Sequence, residues 1–262
     1  MEVIKFTLKG RTGFFKKPDV NSYLYFTYGN IHKVALLGIF GAILGYRGYN
    51  QMSFKSKYKK DFKEIEKENN EVYPEFYERL KHLKVGIVSK EVSIKKKIQV
   101  FNNSVGYASK EKGGNLIVKE QWLEKPNWDI YIAIEDDEGK KLAKALMDRS
   151  FVYIPYLGKN DHLADIENIE LISDVKEVSS IININSLFLK DDFEIVEKDD
   201  FDEFTNLEKK TPTFKYEEKL PITLDKSTNK YELRTFIYTN ENLKKIGDAS
   251  VYDVKDKNIV FI

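Results

Sequence analysis

Cysteine is absent from this 262-residue chain, and histidine occurs only at positions 32, 82 and 162. Without cysteine, neither a disulfide nor a thiolate zinc site can form. The absence favours a reducing, cytoplasmic setting. No two histidines stand four residues apart, so a histidine metal centre has no support and no metal is expected. Phosphate-cradling loops of the Walker type, Gly-x-Gly-x-x-Gly turns and Gly-x-Ser-x-Gly elbows are missing too. The sequence therefore points to no cofactor and to no catalytic residue. Long apolar runs are lacking. The uncharged apolar stretch at residues 34–46 is too short to span a bilayer, and a charged strand-like segment precedes it. No membrane association and no export signal are expected. Acidic pairs at 136–137 and 191–192 lie in charge runs that read as solvated surface.

Net charge is also small, at +1, but it conceals an asymmetry. Residues 1–128 hold 24 Lys and Arg against 13 Asp and Glu, whereas residues 129–262 hold 19 against 29. A front half at +11 suits a polyanion such as RNA. A rear half at −10 suits solvent or a basic protein partner. Taken one at a time, the lysines read as ordinary solvated surface.

What the chain does have is glycine inside an apolar helix. Residues 34–45 read VALLGIFGAILG. At 100° per residue, Gly38, Gly41 and Gly45, with Ala35 and Ala42, fall within about 120° of one helical face. Each glycine costs roughly 1 kcal/mol against alanine in a helix. Close approach of another backbone or of a ligand is the usual compensation. The expectation is a buried helix starting near residue 31, capped by Asn30, with the glycine strip packed tightly on a sheet.

Period-two alternation marks residues 2–9 as a strand, and residues 85–101, 115–123 and 128–134 as further strands. Residues 138–149 carry apolar positions at helical steps. Residues 151–156 form a short apolar piece that completes the order β, α, β, β, α, β. That order is the ferredoxin-like split βαβ arrangement, which RNA-recognition modules share. The expected fold is thus α+β: a ferredoxin-like domain over 1–156, with an exposed lysine-rich insertion at 50–84 and a protruding hairpin at 98–121. Residues 157–262 are expected to form a degenerate β-rich lobe with an acidic loop at 197–208.

The loop at 11–17 (RTGFFKK) joins Arg11, Lys16 and Lys17 to Phe14 and Phe15. Single-stranded nucleic acid asks for this pairing, because cations follow the backbone and rings stack bases. Asn30, His32 and Lys33 sit at the start of the glycine helix, where free backbone N–H groups favour phosphate. Equally, both phenylalanines could be core and His32 a cap. Tyr28, His32 and Lys33 could also support metal-independent RNA cleavage through a general base.

Residues 10–18 (GRTGFFKKP) followed by 36–45 (LLGIFGAILG) resemble the amino-terminal signature of the fifth Cas protein family, the subunit at the crRNA 5′ end of CRISPR Cascade complexes. Residues 153–166 (YIPYLGKNDHLADI) look like the family's second block, an LG-x-x-x-x-LA element, in the expected order. The overall style looks most like the type I-B branch. The resemblance implies a repeat-associated (RAMP) protein whose 98–121 hairpin is a thumb lying against the neighbouring backbone subunit. It implies that Arg11, Phe14, Phe15, Lys16, Lys17, His32 and Lys33 line the crRNA 5′ handle, with Gly158, Lys159 and Asn160 nearby. Its partners would be the backbone and large subunits, with target DNA reached only through the complex. It implies a non-catalytic role in antiviral defence. The alternatives are an endoribonuclease acting on precursor guide RNA, as in the I-C branch, and a structural subunit without RNA contact.

Overall fold

A computed structural model describes residues 1–19, 23–52, 72–102, 110, 112, 116–178, 183–196 and 212–262. Its front half runs β1 (Glu2–Gly10), β2 (Thr12–Gly13), α1 (Lys33–Leu44), α2 (Glu75–Leu80), β3 (Val85–Ser89), β4 (Lys96–Asn102), β5 (Ile117–Glu124) and β6 (Asn127–Ile134). Then follow α3 (Asp137–Met147), β7 (Ala164–Ile172), β8 (Val175–Glu177), β9 (Phe188–Leu189) and β10 (Phe193–Ile195). The chain closes with β11 (Lys215–Leu224), β12 (Tyr231–Thr239), β13 (Leu243–Lys245), β14 (Val251–Val254) and β15 (Asn258–Val260).

The central sheet has the order β3-β6-β1-β7, and every neighbouring pair is antiparallel. With α1 between β1 and β3 and α3 between β6 and β7, this is the ferredoxin-like α+β fold. Alternation along β1 decides which side is which. Ile4, Phe6 and Leu8 join Leu36, Phe40 and Leu142 in the main core under the helices. Val3 joins Val88, Ile172, Val254 and Ile259 on the other face, beneath the β14–β15 hairpin.

The fourth strand of this sheet is β7, not residues 151–156. Val152, Tyr153 and Ile154 are exposed, and the first two donate backbone N–H groups to Ile43 O (3.0 Å) and Ala42 O (3.1 Å). They satisfy carbonyls that the end of α1 leaves open. The ferredoxin-like sheet therefore extends past residue 156. The rear half has an apolar cluster of its own around Phe188, Phe193 and Val251, while Leu187, Leu220, Leu224 and Phe236 join the same cluster as Ile4 and Leu36.

The hairpin at 98–121 is present where it is described. Strand β4 pairs with β5 from Lys96 opposite Leu123 to Asn102 opposite Ile117. Its tip lies outside the described residues, as do 53–71 of the insertion and the acidic loop. The described end of the insertion is not exposed: Phe76, Tyr77 and Leu80 of α2 are buried against the core. Among the described residues, no helix is long and apolar enough to cross a membrane.

The glycines of α1 do not face the sheet. A Cβ at Gly41 would stand 2.4 Å from Phe76 Cβ, so this glycine lets α2 lie on α1. A Cβ at Gly38 would meet only Phe76 Cε2, at 4.0 Å. Gly45 ends the helix in the left-handed region at φ 78°, the usual place for a residue without Cβ. These differences separate two neighbouring substitutions. Gly41→Ala is expected to lose about 1–3 kcal/mol to overpacking. Gly38→Ala is expected to gain up to about 1 kcal/mol of helix propensity. Thermal and urea unfolding of the two variants checks both signs.

Candidate nucleic-acid interface

The side of α1 that bears Ala35, Gly38 and Ala42 forms the floor of an open groove of about 920 Å³. Rings make its walls: Tyr46, Tyr49 and Phe76 on one flank, and Tyr153, Tyr156 and Tyr231 with Phe14 and Phe15 elsewhere on the lining. Lys16 and Lys159 bring the cations, Glu120 brings a carboxylate, and Asn50 and Gln51 bring amides. Ring faces over a floor of backbone and methyl groups suit flat, stackable ligands.

Two segments about 140 residues apart meet here. The Phe14 N–H donates to Leu157 O at 3.0 Å. Gly158 adopts φ +90°, and a Cβ there would stand 1.9 Å from the Phe14 carbonyl oxygen. Only glycine fits. The structure thus brings Phe14, Phe15, Lys16, His32, Gly158 and Lys159 to one groove. Arg11, Lys17, Asn30, Lys33 and Asn160 are not among its lining residues.

Several of these side chains differ from expectation. The rings of Phe14 and Phe15 are buried, and Phe15 packs edge-on to His32 at 6.0 Å and near Trp128 at 6.2 Å. They are core that shapes the groove wall, not free stacking platforms. Asn30 is not the cap. It is buried, and its Oδ1 accepts from Trp128 Nε1 at 2.6 Å. The cap is His32, whose Nδ1 accepts from the Ala35 N–H at 3.2 Å, and the helix begins at Lys33. Burial pushes the His32 pKa down to about 3. The ring is neutral at pH 7, with its proton left to Nε2, so it offers no cation to phosphate. Lys17 is held by Glu218 at 2.7 Å and lies over the Tyr28 ring. Lys159 is held by Glu120 at 3.1 Å, between the rings of Phe14 and Phe101. Lys16 is exposed, with its ammonium 4.1 Å from the centroid of Tyr25. Arg11 and Asn160 are exposed on the turns flanking the groove. Lys33 is half-buried, and burial brings its pKa down to about 8.

The same burial bears on cleavage chemistry. Tyr28 lies 5.3 Å from His32, ring to ring, and its buried hydroxyl has no partner among the described residues. Desolvation pushes that phenol up, beyond its ordinary range. An imidazole whose pKa is pushed to about 3 is a weak base and a phenol pushed up is a weak acid, so the pair is poorly matched to proton transfer at neutral pH. Asp136 caps α3 through Gly139 N–H at 2.7 Å and pairs with His82 at 2.5 Å, so it too has a structural task. Among the described residues, no group of three acidic or histidine side chains could hold a metal.

Sequence reasoning missed the tyrosine walls. Tyr153 and Tyr156 lie inside the second motif block, but Tyr46, Tyr49 and Tyr231 come from the end of α1, the segment after it and the start of β12. The count of 16 tyrosines was the only available signal.

No family model matches the sequence, and no curated protein matches it. Among solved structures, the chain is similar to one titled "CRISPR RNA-guided surveillance complex", at 13% identity and TM-score 0.49, covering 92% of this chain and 91% of that one. It is also similar to a CRISPR protein from Archaeoglobus fulgidus, at 11% identity and TM-score 0.48, covering 99% and 98%. A third is a chain of the Type III-B Cmr-beta complex bound to cognate target RNA and AMPPnP, at 12% identity and TM-score 0.44, covering 94% and 86%.

The His32 cap carries a pH signature. Its folded pKa, about 3, lies below the ordinary imidazole value of 6.5. The unfolded chain therefore binds the extra proton between those values. The stability from burying the neutral ring is complete above pH 6.5 and is lost as pH falls toward 3. His32→Asn keeps a good cap and removes the titration. Urea unfolding from pH 7 to pH 4 is expected to show a steeper loss for the wild type than for His32→Asn.

Proposed function

We propose that this chain is a non-catalytic RNA-binding subunit of an RNA-guided CRISPR effector complex of the Cascade kind, in the style of the type I-B branch. In this reading the α1 groove holds the repeat-derived 5′ handle of crRNA. The β4–β5 hairpin, with Ile98 and Val100 exposed, faces the backbone subunit, and the large subunit lies beyond the groove rim. Target DNA is met only through the assembled complex.

One observation carries the reading. The two sequence blocks that resemble the fifth Cas family meet, at Phe14 and Gly158, in a ring-walled groove floored by the glycine helix. Bases would stack on the tyrosines, while Lys16 and the free edge of His32 would meet polar groups of the strand. Arg11 and Asn160 would serve the strand where it leaves the groove. Lys17 is committed to Glu218, and Phe14 and Phe15 serve by shaping the wall.

Gly38 allows a test that separates binding from folding. A leucine there points into open space and favours the helix, yet fills the floor. Gly38→Leu is expected to keep or raise the unfolding temperature and to weaken binding of a labelled handle RNA at least about tenfold, a loss of about 1.4 kcal/mol. Photo-crosslinking from thiouridine in the handle is expected at Tyr153 and Tyr231 in the wild type and not in the variant. Unchanged affinity in a folded Gly38→Leu protein overturns the reading.

A further inference from the structure

We infer that the opposite face of the central sheet carries a separate site for a phosphoryl anion, built by Lys5, Lys90 and Lys257. These residues come from β1, from the turn after β3 and from the turn between β14 and β15. Their ammonium groups converge on one carboxylate, Asp129 of β6, at 3.7, 3.2 and 3.6 Å. The Asp129 side chain is only 5% exposed, and its Oδ1 also accepts from the Thr7 hydroxyl at 2.8 Å. Thr7 in turn accepts from Asn168 Nδ2 at 3.3 Å. The three lysine side chains are 20%, 37% and 40% exposed, so their ends reach solvent around a buried anchor.

Charge and geometry both ask for another anion. Three cations surround one carboxylate, and one of that carboxylate's acceptor positions is already taken by Thr7. Among the described residues, Asp129 is the sole ion-pair partner of each lysine. Only Lys90 approaches a normal hydrogen-bond distance. Among the described acids nearby, Glu170 lies opposite Lys5 in register and is occupied by Lys255, Asp253 accepts from the Asp256 N–H at 3.0 Å, and Glu91 adjoins Lys90 in sequence. Farther along the face, Glu167 is occupied by Lys9. A local surplus of two positive charges with unused N–H donors, held by a buried carboxylate that orients them, matches a phosphate oxygen triad. The site is independent of the α1 groove, since the sheet lies between them.

The anion could belong to a nucleic-acid strand or to a small phosphorylated ligand, and one experiment with two arms separates these sources. The full chain is compared with the Lys90→Gln/Lys257→Gln pair and with the Lys90→Arg/Lys257→Arg pair. In the first arm, unfolding temperature is measured in inorganic phosphate against chloride at equal ionic strength. Because each protein is its own reference, a change in basal stability does not confuse the result. The wild type and the Arg pair are expected to gain stability in phosphate, and the Gln pair is not. In the second arm, affinity for an oligouridylate is followed against salt. A slope shallower by about 1.4 in the Gln pair, two phosphate contacts at about 0.7 each for a single strand, assigns the anion to a strand backbone. Loss of the phosphate response with an unchanged slope assigns it to a small phosphoryl ligand. If phosphate affects all three proteins alike, or none of them, and the slope does not change, the inference is overturned.

Discussion

Everything in the front half depends on how closely backbone can approach backbone where side chains are missing. Helix α1 has two such edges, and they do different things. Along the Gly41 edge, α2 is pressed on through Phe76, and a methyl group would be a collision. Along the Ala35–Gly38–Ala42 edge no described element is pressed on, and the groove opens. A third close approach, Gly158 on the Phe14 carbonyl, seals one groove wall. The three sites reinforce one another. Phe76 belongs both to the α2 contact and to the groove lining, and Phe14 belongs both to the Gly158 contact and to the lining. The cost of glycine in a helix, roughly 1 kcal/mol each, is thus offset by contact at Gly41 and left uncompensated by contact at Gly38. A position that gives up stability without packing in return is where a ligand is expected to lie.

Among the described residues, part of the charge asymmetry is met within the chain. Front-half cations pair with rear-half acids at Lys9–Glu167, Lys17–Glu218, Arg79–Glu138, Lys84–Glu135 and Lys90–Asp129. The exposed pairs among them, Lys9–Glu167 and Lys84–Glu135, stabilise little, about 0–1 kcal/mol each. Their larger effect is to cancel the field that a +11 segment would project, and screening beyond about 8 Å at physiological salt removes more of it. Glu218 shows how specific the cancellation is. It accepts from the Gly29 N–H at 2.7 Å and from the Tyr216 hydroxyl while holding Lys17 at 2.7 Å, so an acid of β11 fixes the loop that enters α1.

Much of the fold was legible because the signals were local. Alternation along β1 reflects which face each side chain meets, and helical spacing in α3 marks its buried side; in β4 the alternating Ile98 and Val100 are exposed. Residues 151–156 misled for a physical reason. They are strand formers, but their hydrogen-bonding groups are used by the end of α1 and their apolar side chains stay exposed, so composition without pairing looked like a strand. The true fourth strand, β7, alternates weakly because its outer edge is open. The site was half legible. Motifs located the Phe14 and Gly158 segments, but not that the two phenylalanines would be buried, that His32 rather than Asn30 would cap, or that Lys17 would be claimed by Glu218. Each of those outcomes is decided by a partner from far along the chain: Trp128 for Asn30, Tyr231 for His32, Glu218 for Lys17.

Strand β6 links the two faces of the molecule. Trp128 turns toward the helices and donates to Asn30, which orders the loop before the His32 cap. The next residue, Asp129, turns to the opposite face and gathers the three lysines. Period-two alternation makes this division unavoidable, because consecutive residues of a strand cannot share a face. The groove side is lined by rings, with Lys16, Lys159 and Glu120 as its charged groups. On the far side, Lys5, Lys90 and Lys257 surround one carboxylate. A one-residue slip of β6 against β1 would exchange Trp128 and Asp129 between faces, burying a carboxylate among the helices and exposing an indole. Both faces are therefore held by one register, Leu8 opposite Trp128 and Thr7 opposite Asp129. The Thr7–Asp129 hydrogen bond, made across that register, secures the groove on one side as much as the lysines on the other.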